Sequence, residues 1–233
     1  MTSFIWKNKL AWLVVIVVVG VGVDQASKLW ALDALTRAAT VDEIRMTADC
    51  RVPAYRDENA KVCRAAVRVT EYGQRVHTGD IVVVPSFFSF KYAENPAAAF
   101  SMTGSLPDWF RRPFLLLISL LASIGIAAWY LKLKEADWAV MTAFPLIIAG
   151  AVGNLIDRAR LAYVIDFLDA YLGAPQEAVR WLITSRLHSN HWPTFNVADS
   201  LIVVGAALVI FRTFKPAPRP AAVPADDVVV AGS

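Results

Sequence analysis

The sequence predicts a membrane protein with an all-α core: four transmembrane helices, a small β-sheet and extramembrane insertions. Two observations carry that reading. Of 233 residues, 57% are hydrophobic and only 18% charged, with a mean hydropathy of +0.47, a balance that a soluble core of this size does not need. The apolar residues also gather in four long runs separated by polar stretches. The net charge of +3 is small and spread out, with no basic block interleaved with aromatics, so nucleic acid is not implied.

The first run, Leu10 to Val23, follows Lys7 and Lys9, the order of a secretory signal peptide. No clean small-x-small cleavage site follows it, and the helical pattern continues through Asp24, Lys28 and Leu32, so a first span over 10–32 is expected. Asp24 and Lys28 are four apart and share a helix face; they read equally as a snorkelling pair at the membrane edge and as part of a site. Residues 33–112 form an extramembrane insertion, polar and irregular up to about Asp80, with Pro53 and Gly73. In it, Cys50 and Cys63 are either a disulfide closing a small loop in an oxidising compartment or two free thiols. Ile81 to Val84 and Phe87 to Tyr92 read as a strand pair broken at Pro85 and Ser86. Phe88, Phe90 and Tyr92 share a face at period two, which is either an aromatic face laid on the bilayer or the packed face of a small domain.

The second run, 114–131, closes on Lys132 and Lys134. The third, 138–156, follows so short a connection that the two helices must be antiparallel neighbours. A second loop, 157–197, carries His188, Asn190 and His191, but no carboxylate or cysteine stands at ligand spacing, so no metal is expected there. The fourth run, 198–214, ends at Arg212 and Lys215. Residues 1–215 then make one four-helix domain, and 216–233, rich in Pro and Ala, is expected to be a disordered tail. Lys7, Lys9, Lys132, Lys134, Arg212 and Lys215 flank the runs on one side, which the charge bias makes cytoplasmic; Arg111 and Arg112 run against it.

Four spans bring the ends of the first and third helices and the starts of the second and fourth to one membrane face. Asp24, Asn95, Asn154, Asp157, Arg158, Asp166, Asn196 and Asp199 all fall on that side. A charge at the centre of a membrane helix costs about 2.5 to 3.5 kcal/mol even by lenient estimates, so such residues are functional candidates by default. Two carboxylates held close cannot both ionise cheaply; one keeps a proton, and the pair then offers a base beside an acid. Cys50 and Cys63 have no nearby base and no Gly-x-Ser-x-Gly occurs, so no rival nucleophile is offered. A transporter or channel also uses intramembrane Asp, Asn and Arg. It calls for an internal repeat and for polar residues through the membrane depth, and the chain has neither.

Five blocks are Asp24-Gln25-Ala26-Ser27-Lys28, Asn95-Pro96-Ala97-Ala98-Ala99-Phe100, Gly150-Ala151-Val152-Gly153-Asn154-Leu155-Ile156-Asp157-Arg158, Val164-Ile165-Asp166-Phe167 and Phe195-Asn196-Val197-Ala198-Asp199-Ser200. In this order they resemble the motif blocks of lipoprotein signal peptidase, or signal peptidase II. The resemblance implies a four-helix aspartyl endopeptidase of the bacterial inner membrane, with its active site at the periplasmic face beside a small periplasmic sheet. It implies diacylglyceryl-modified prolipoproteins as substrates, cut before the lipidated cysteine, with no cofactor and no metal. By motif position Asp166 and Asp199 would be catalytic, and Asn95, Asn154, Arg158 and Asn196 would bind substrate. Asp24, Lys28, Gly153 and Asp157 would support the site, Asp157 through Arg158 or its surroundings. The partners are then lipid-modified prolipoproteins and the phospholipid bilayer, and the expected working unit is a monomer. A scaffold that binds lipoproteins without cutting them is opposed by the presence of both aspartates. Ala97 stands where the family usually has Gly, and Ala149 where a second Gly would precede Gly150. The segments 33–80 and 166–199 are longer than typical, which bears on the periplasmic shape more than on the chemistry.

Overall fold

The computed structural model describes residues 8–49, 70, 75–96, 107–133, 137–171 and 192–214. Along the chain come α1 (Lys9–Leu35), β1 (Thr36–Ala38), α2 (Val41–Asp49), β2 (Arg75–His77), β3 (Ile81–Val84) and β4 (Phe88–Asn95), then α3 (Asp108–Lys132), α4 (Trp138–Leu161), β5 (Val164–Ala170) and α5 (Val197–Thr213). Cys50, Cys63, Ala97 to Phe100, His188, Asn190, His191 and the tail 216–233 lie outside the described residues.

α1 is apolar on nearly every side, yet only Leu13, Gly20, Asp24, Lys28, Ala31 and Leu35 are buried, and these form one stripe. Leu10, Val14, Val15, Val18, Val19 and Val23 remain exposed, as a lipid-facing surface requires. α1, α3 and α4 are each long and apolar enough to cross a membrane, which makes this a multi-pass membrane protein. α5 has 17 residues, about 25 Å of helix against a hydrocarbon core of about 30 Å.

α4 is the centre of the bundle. It packs against α1, α3 and α5, and 56% of its spanning window is buried, against 17% for α1 and for α3. Without water to drive helices together, close backbone approach matters most, and small residues permit it. A Cβ added at Gly150 would run into the Ala198 carbonyl of α5, and one at Gly153 would stand 2.5 Å from Asp24 Oδ2 on α1.

Helix limits differ from the expected spans. α4 runs past 156 because Asp157 bonds to Lys28 and Gln25 inside the bundle, so its appearance does not end the helix, and α1 runs past 32 to Leu35, where Thr36 opens β1. α3 starts at Asp108 rather than 114: Pro113 removes one N–H only, and the amides of Phe110 and Arg111 both donate to the Pro107 carbonyl (3.0 and 2.9 Å). Arg111 is buried within α3 and is not a free loop charge.

The polar stretch before residue 80, expected to be irregular, holds β1, α2 and β2. α2 opens on a reciprocal cap: Thr40 N–H donates to Glu43 Oε2 (2.9 Å) and Glu43 N–H to Thr40 Oγ1 (3.3 Å). β1 pairs antiparallel with β2, and Arg75 caps the end of α1 by donating to Thr36 Oγ1 (2.6 Å) and the Leu32 carbonyl (3.3 Å).

The strand pair at 81–92 is present, but it is two-thirds of a sheet of order β3-β4-β5. The loop expected over 157–197 is broken by β5. Ala162, in the left-handed region at φ 68°, turns the chain out of α4 and aims Val164 onward along β4. A bulge between Phe90 and Ala93 breaks the period-two face on β4. Tyr92 is buried with Ala31, Leu35, Tyr163, Ile165 and Phe167, and Phe90 meets Trp30 edge-on at 4.9 Å. Of the two readings of these aromatics, the packed face is the one found for Phe90 and Tyr92. At the opposite end of the bundle Lys9 Nζ donates to the Leu131 and Leu133 carbonyls (2.6 and 3.2 Å), and Arg212 pairs with Asp137, so basic residues there meet helix ends and an acid.

Candidate active site

The last turns of α1 and α4, the first turn of α5 and the paired ends of β4 and β5 converge at one end of the bundle. Asp24 and Lys28 do pair, 2.9 Å apart, and neither snorkels: their side chains are 0% and 2% exposed. Lys28 also meets Asp157 at 2.8 Å and donates to Asn154 Oδ1 at 2.9 Å. Asp157 thus has a cation from another helix, Lys28, besides lying near Arg158. Asp157 Oδ2 further accepts the Ile165 N–H (3.2 Å), and Asp24 Oδ1 accepts the Ala198 N–H (2.9 Å). Gln25, assigned no role from sequence, donates to Asp24 Oδ2, Asp157 Oδ1 and the Gly153 carbonyl (3.1, 3.0 and 3.2 Å).

Asp199 is placed by helix capping. Asn196 is the N-cap of α5 and Asp199 its third residue: Asp199 N–H donates to Asn196 Oδ1 (3.0 Å) and Asn196 N–H to Asp199 Oδ2 (3.3 Å). Asn154 Nδ2 donates to the other oxygen, Asp199 Oδ1 (2.8 Å). Asp166 is placed by the sheet. Ala93 lies opposite it on β4 and Asn95 opposite Val164, so Asn95 reaches it diagonally, and Asn95 Nδ2 donates to Asp166 Oδ2 at 3.0 Å. Asn196 Nδ2 donates to Asp166 Oδ1 at 2.7 Å. The Asn196 side chain thus reaches the Asp166 carboxyl by its amide nitrogen and the Asp199 backbone N–H by its amide oxygen.

Asp166 is 2% exposed. Burial pushes its carboxyl up to about 7, and the charge of Asp199 pushes the same way; the amides of Asn95 and Asn196, and Lys28, pull it back. A carboxyl there can hold or release a proton near neutral pH, as an acid-base catalyst must. A cavity of about 310 Å³ opens over the two acids. Its polar lining is Asn95, Asn154, Arg158, Asp166 and Asp199; its apolar lining includes Val164, Trp192, Ile202 and Val203. Arg158 lies in the field of Asp199, Asp166 and Asp157 and donates to the Asn154 carbonyl (3.4 Å).

All ten residues singled out from the sequence meet here: five line the cavity, and Asn196, Asp24, Lys28, Gly153 and Asp157 stand behind it. Missed were Gln25 and the wall Trp192-Pro193-Thr194. That wall is held along β5 by Trp192 N–H to the Ala170 carbonyl (2.8 Å) and Phe195 N–H to the Leu168 carbonyl (3.0 Å), pairings with no periodic trace in so short a stretch. Among the described residues, no group of three or more His, Cys, Asp or Glu could hold a metal ion.

Fold and site together define a multi-pass membrane protein with two carboxyls, Asp166 buried and Asp199 half-buried, bordering one small cavity. The family described as signal peptidase (SPase) II matches the chain over residues 57–215. The lipoprotein signal peptidase of Geobacter metallireducens is 44% identical over 129 residues, covering 55% of this chain and 69% of that protein. That of Psychromonas ingrahamii is 38% identical over 159 residues, covering 66% of this chain and 82% of its own length. A solved structure described as a bacterial membrane enzyme shares the fold, with a TM-score of 0.53 at 20% identity over 86% of each chain. The chain belongs to the signal peptidase II family, a family of peptidases.

Proposed function

We propose that this chain is an aspartyl endopeptidase that removes the signal peptides of diacylglyceryl-modified prolipoproteins, cutting before the lipidated cysteine. The observation that supports it most is the pair Asp166 and Asp199, each accepting two N–H groups and both bordering one cavity. One carboxylate takes a proton from water as the water oxygen attacks the scissile carbonyl. The other, protonated, donates to the carbonyl oxygen, and collapse of the tetrahedral intermediate passes a proton to the departing nitrogen. Asn95 and Arg158 hold the substrate backbone, Asn154 holds Asp199 and completes the binding wall, Asn196 holds Asp166 and the start of α5 so that the wall meets the substrate, and Asp24, Lys28, Gly153 and Asp157 brace them.

Neither step draws on a cofactor. α5 is the fourth span of a single four-helix unit over residues 1–215, which works as a monomer in the bacterial inner membrane with its site at the periplasmic face. A lipid-anchored substrate reaches that site by diffusing in the plane of the bilayer, which leaves only the extended segment around the cut to be threaded between the acids. The test is cleavage of a diacylated prolipoprotein by purified protein in detergent, with and without a chelator, comparing wild type with Asp166→Asn and Asp199→Asn. Cleavage by wild type alone, unchanged by the chelator, is the expected result. Full activity in either variant sinks the assignment of the pair, and a folded wild type that binds substrate without cutting it favours a lipoprotein-binding scaffold.

A further inference from the structure

The side chain of Lys28 does not line the cavity, yet three connections from it lead to the two acids. An ammonium has three N–H donors, and all three are used, on Asp24 Oδ2 (2.9 Å), Asp157 Oδ2 (2.8 Å) and Asn154 Oδ1 (2.9 Å). Each of those partners then grips one of the acids or its immediate neighbour. Asp24 accepts the N–H of Ala198, the residue before Asp199. Asp157 accepts the N–H of Ile165, the residue before Asp166. Asn154 donates directly to Asp199 Oδ1.

We infer that Lys28 is the positioning residue of the site: it sets the spacing of Asp166 and Asp199 and fixes which way the Asn154 amide faces. The orientation follows from donor arithmetic. Lys28 only donates, and Asn196 Nδ2 also donates toward Asn154 Oδ1 (3.1 Å), so that oxygen must face them and the Asn154 NH2 is left for Asp199. A turned amide would set an NH2 against two donors and an oxygen against a carboxylate. The spacing follows from the two acidic arms, which tie α5 and β5 to a single cation on α1.

This inference rests on the proposed peptidase activity, so wild type and Asp199→Asn run in the same assay: failure of wild type to cleave counts against that activity and not against Lys28. The decisive variants are Lys28→Met, which keeps the length and removes the donors, and Lys28→Met/Asp157→Asn, which restores the net charge of the buried cluster and keeps the test usable where the single variant does not fold. Both are assayed below their measured melting temperatures, with kcat and KM determined separately. The expected result is a kcat lowered on the order of 100-fold in both, with KM within about threefold of wild type, because misplacement by about 1 Å costs about that much while the cavity lining is untouched. A double variant with kcat within about threefold of wild type would show that Lys28 only balances charge, and a raised KM at unchanged kcat would show that it acts on binding; either overturns the inference.

Discussion

Replacing Asp166 by Asn should change how stability depends on pH, and the size of the change follows from the site. The carboxyl rises from the ordinary 3.8 to about 7 because it is buried beside Asp199; at about 1.4 kcal/mol per pH unit, that disfavours the ionised form in the folded chain by about 4 kcal/mol. Between pH 4 and 7 the folded chain holds a proton that the unfolded chain has released, so this group makes stability fall as pH rises through that window and adds no further slope above it. Asn cannot ionise, so in Asp166→Asn that fall is absent. The substitution has a cost of its own that does not vary with pH. Both oxygens of Asp166 accept amide N–H groups, from Asn95 and Asn196, and an NH2 in place of one oxygen leaves a donor facing a donor, about 1 to 3 kcal/mol. The variant should therefore melt below wild type near pH 4.5 and draw level with it or pass it by pH 8, a swing of roughly 10 °C in the difference of melting temperatures for a chain of this size. Thermal unfolding of both proteins in one detergent across pH 4.5 to 8 measures it. Two melting curves that run parallel in pH would refute the assignment of a protonated, buried Asp166.

Substitutions at three other positions test the packing around the pair. Asp24→Ala removes one counter-charge of Lys28 and the acceptor of the Ala198 N–H; breaking such a buried pair costs about 3 to 5 kcal/mol, and Asp24→Asn, which can still accept that N–H, should lose less by the same melting assay. Gly150→Ala puts a Cβ into the Ala198 carbonyl and should cost at least about 1 to 3 kcal/mol as α5 is pushed off α4; wild-type stability in this variant would mean the two helices are farther apart than described. Asn196→Ala loses the α5 cap, about 1 kcal/mol, and removes the amide that donates to Asp166 Oδ1, so cleavage should drop on the order of 100-fold while the melting point moves only a few degrees.

The candidate site was more legible in the sequence than the sheet that carries half of it. Charged and amide residues inside apolar runs are informative because burial makes them costly; a position such as Asp157 or Asn154 must have partners, and the even number of expected spans said at which end those partners sit. The spacing Asn196-x-x-Asp199 is a helix-start pattern in its own right, and the structure finds both halves of that reciprocal cap. β5 left no comparable trace. Its first four residues, Val164 to Phe167, are all buried, so no alternation of apolar and polar residues marks them as a strand, and the strand they pair with lies far back in the chain. The limit of α4 was hidden by the same physics: Asp157, the first charge after the apolar run, pairs with Lys28 inside the bundle, so the helix continues past it to Leu161.

A buried ion cluster of this kind is a poor way to stabilise a fold, since apolar side chains of equal volume do as well or better. Its value has to be sought in geometry. The two acids belong to different kinds of element, Asp166 to a sheet edge over the bundle and Asp199 to a helix start within it, and a strand and a helix N-terminus have no packing rule that fixes their distance. Hydrogen bonds that Asp24 and Asp157 accept from the backbone N–H one residue before each acid supply that rule. Replacing Lys28, Asp24 and Asp157 together by apolar side chains of similar volume should therefore leave a protein that folds and melts close to wild type, yet holds Asp166 and Asp199 too loosely to act as a pair.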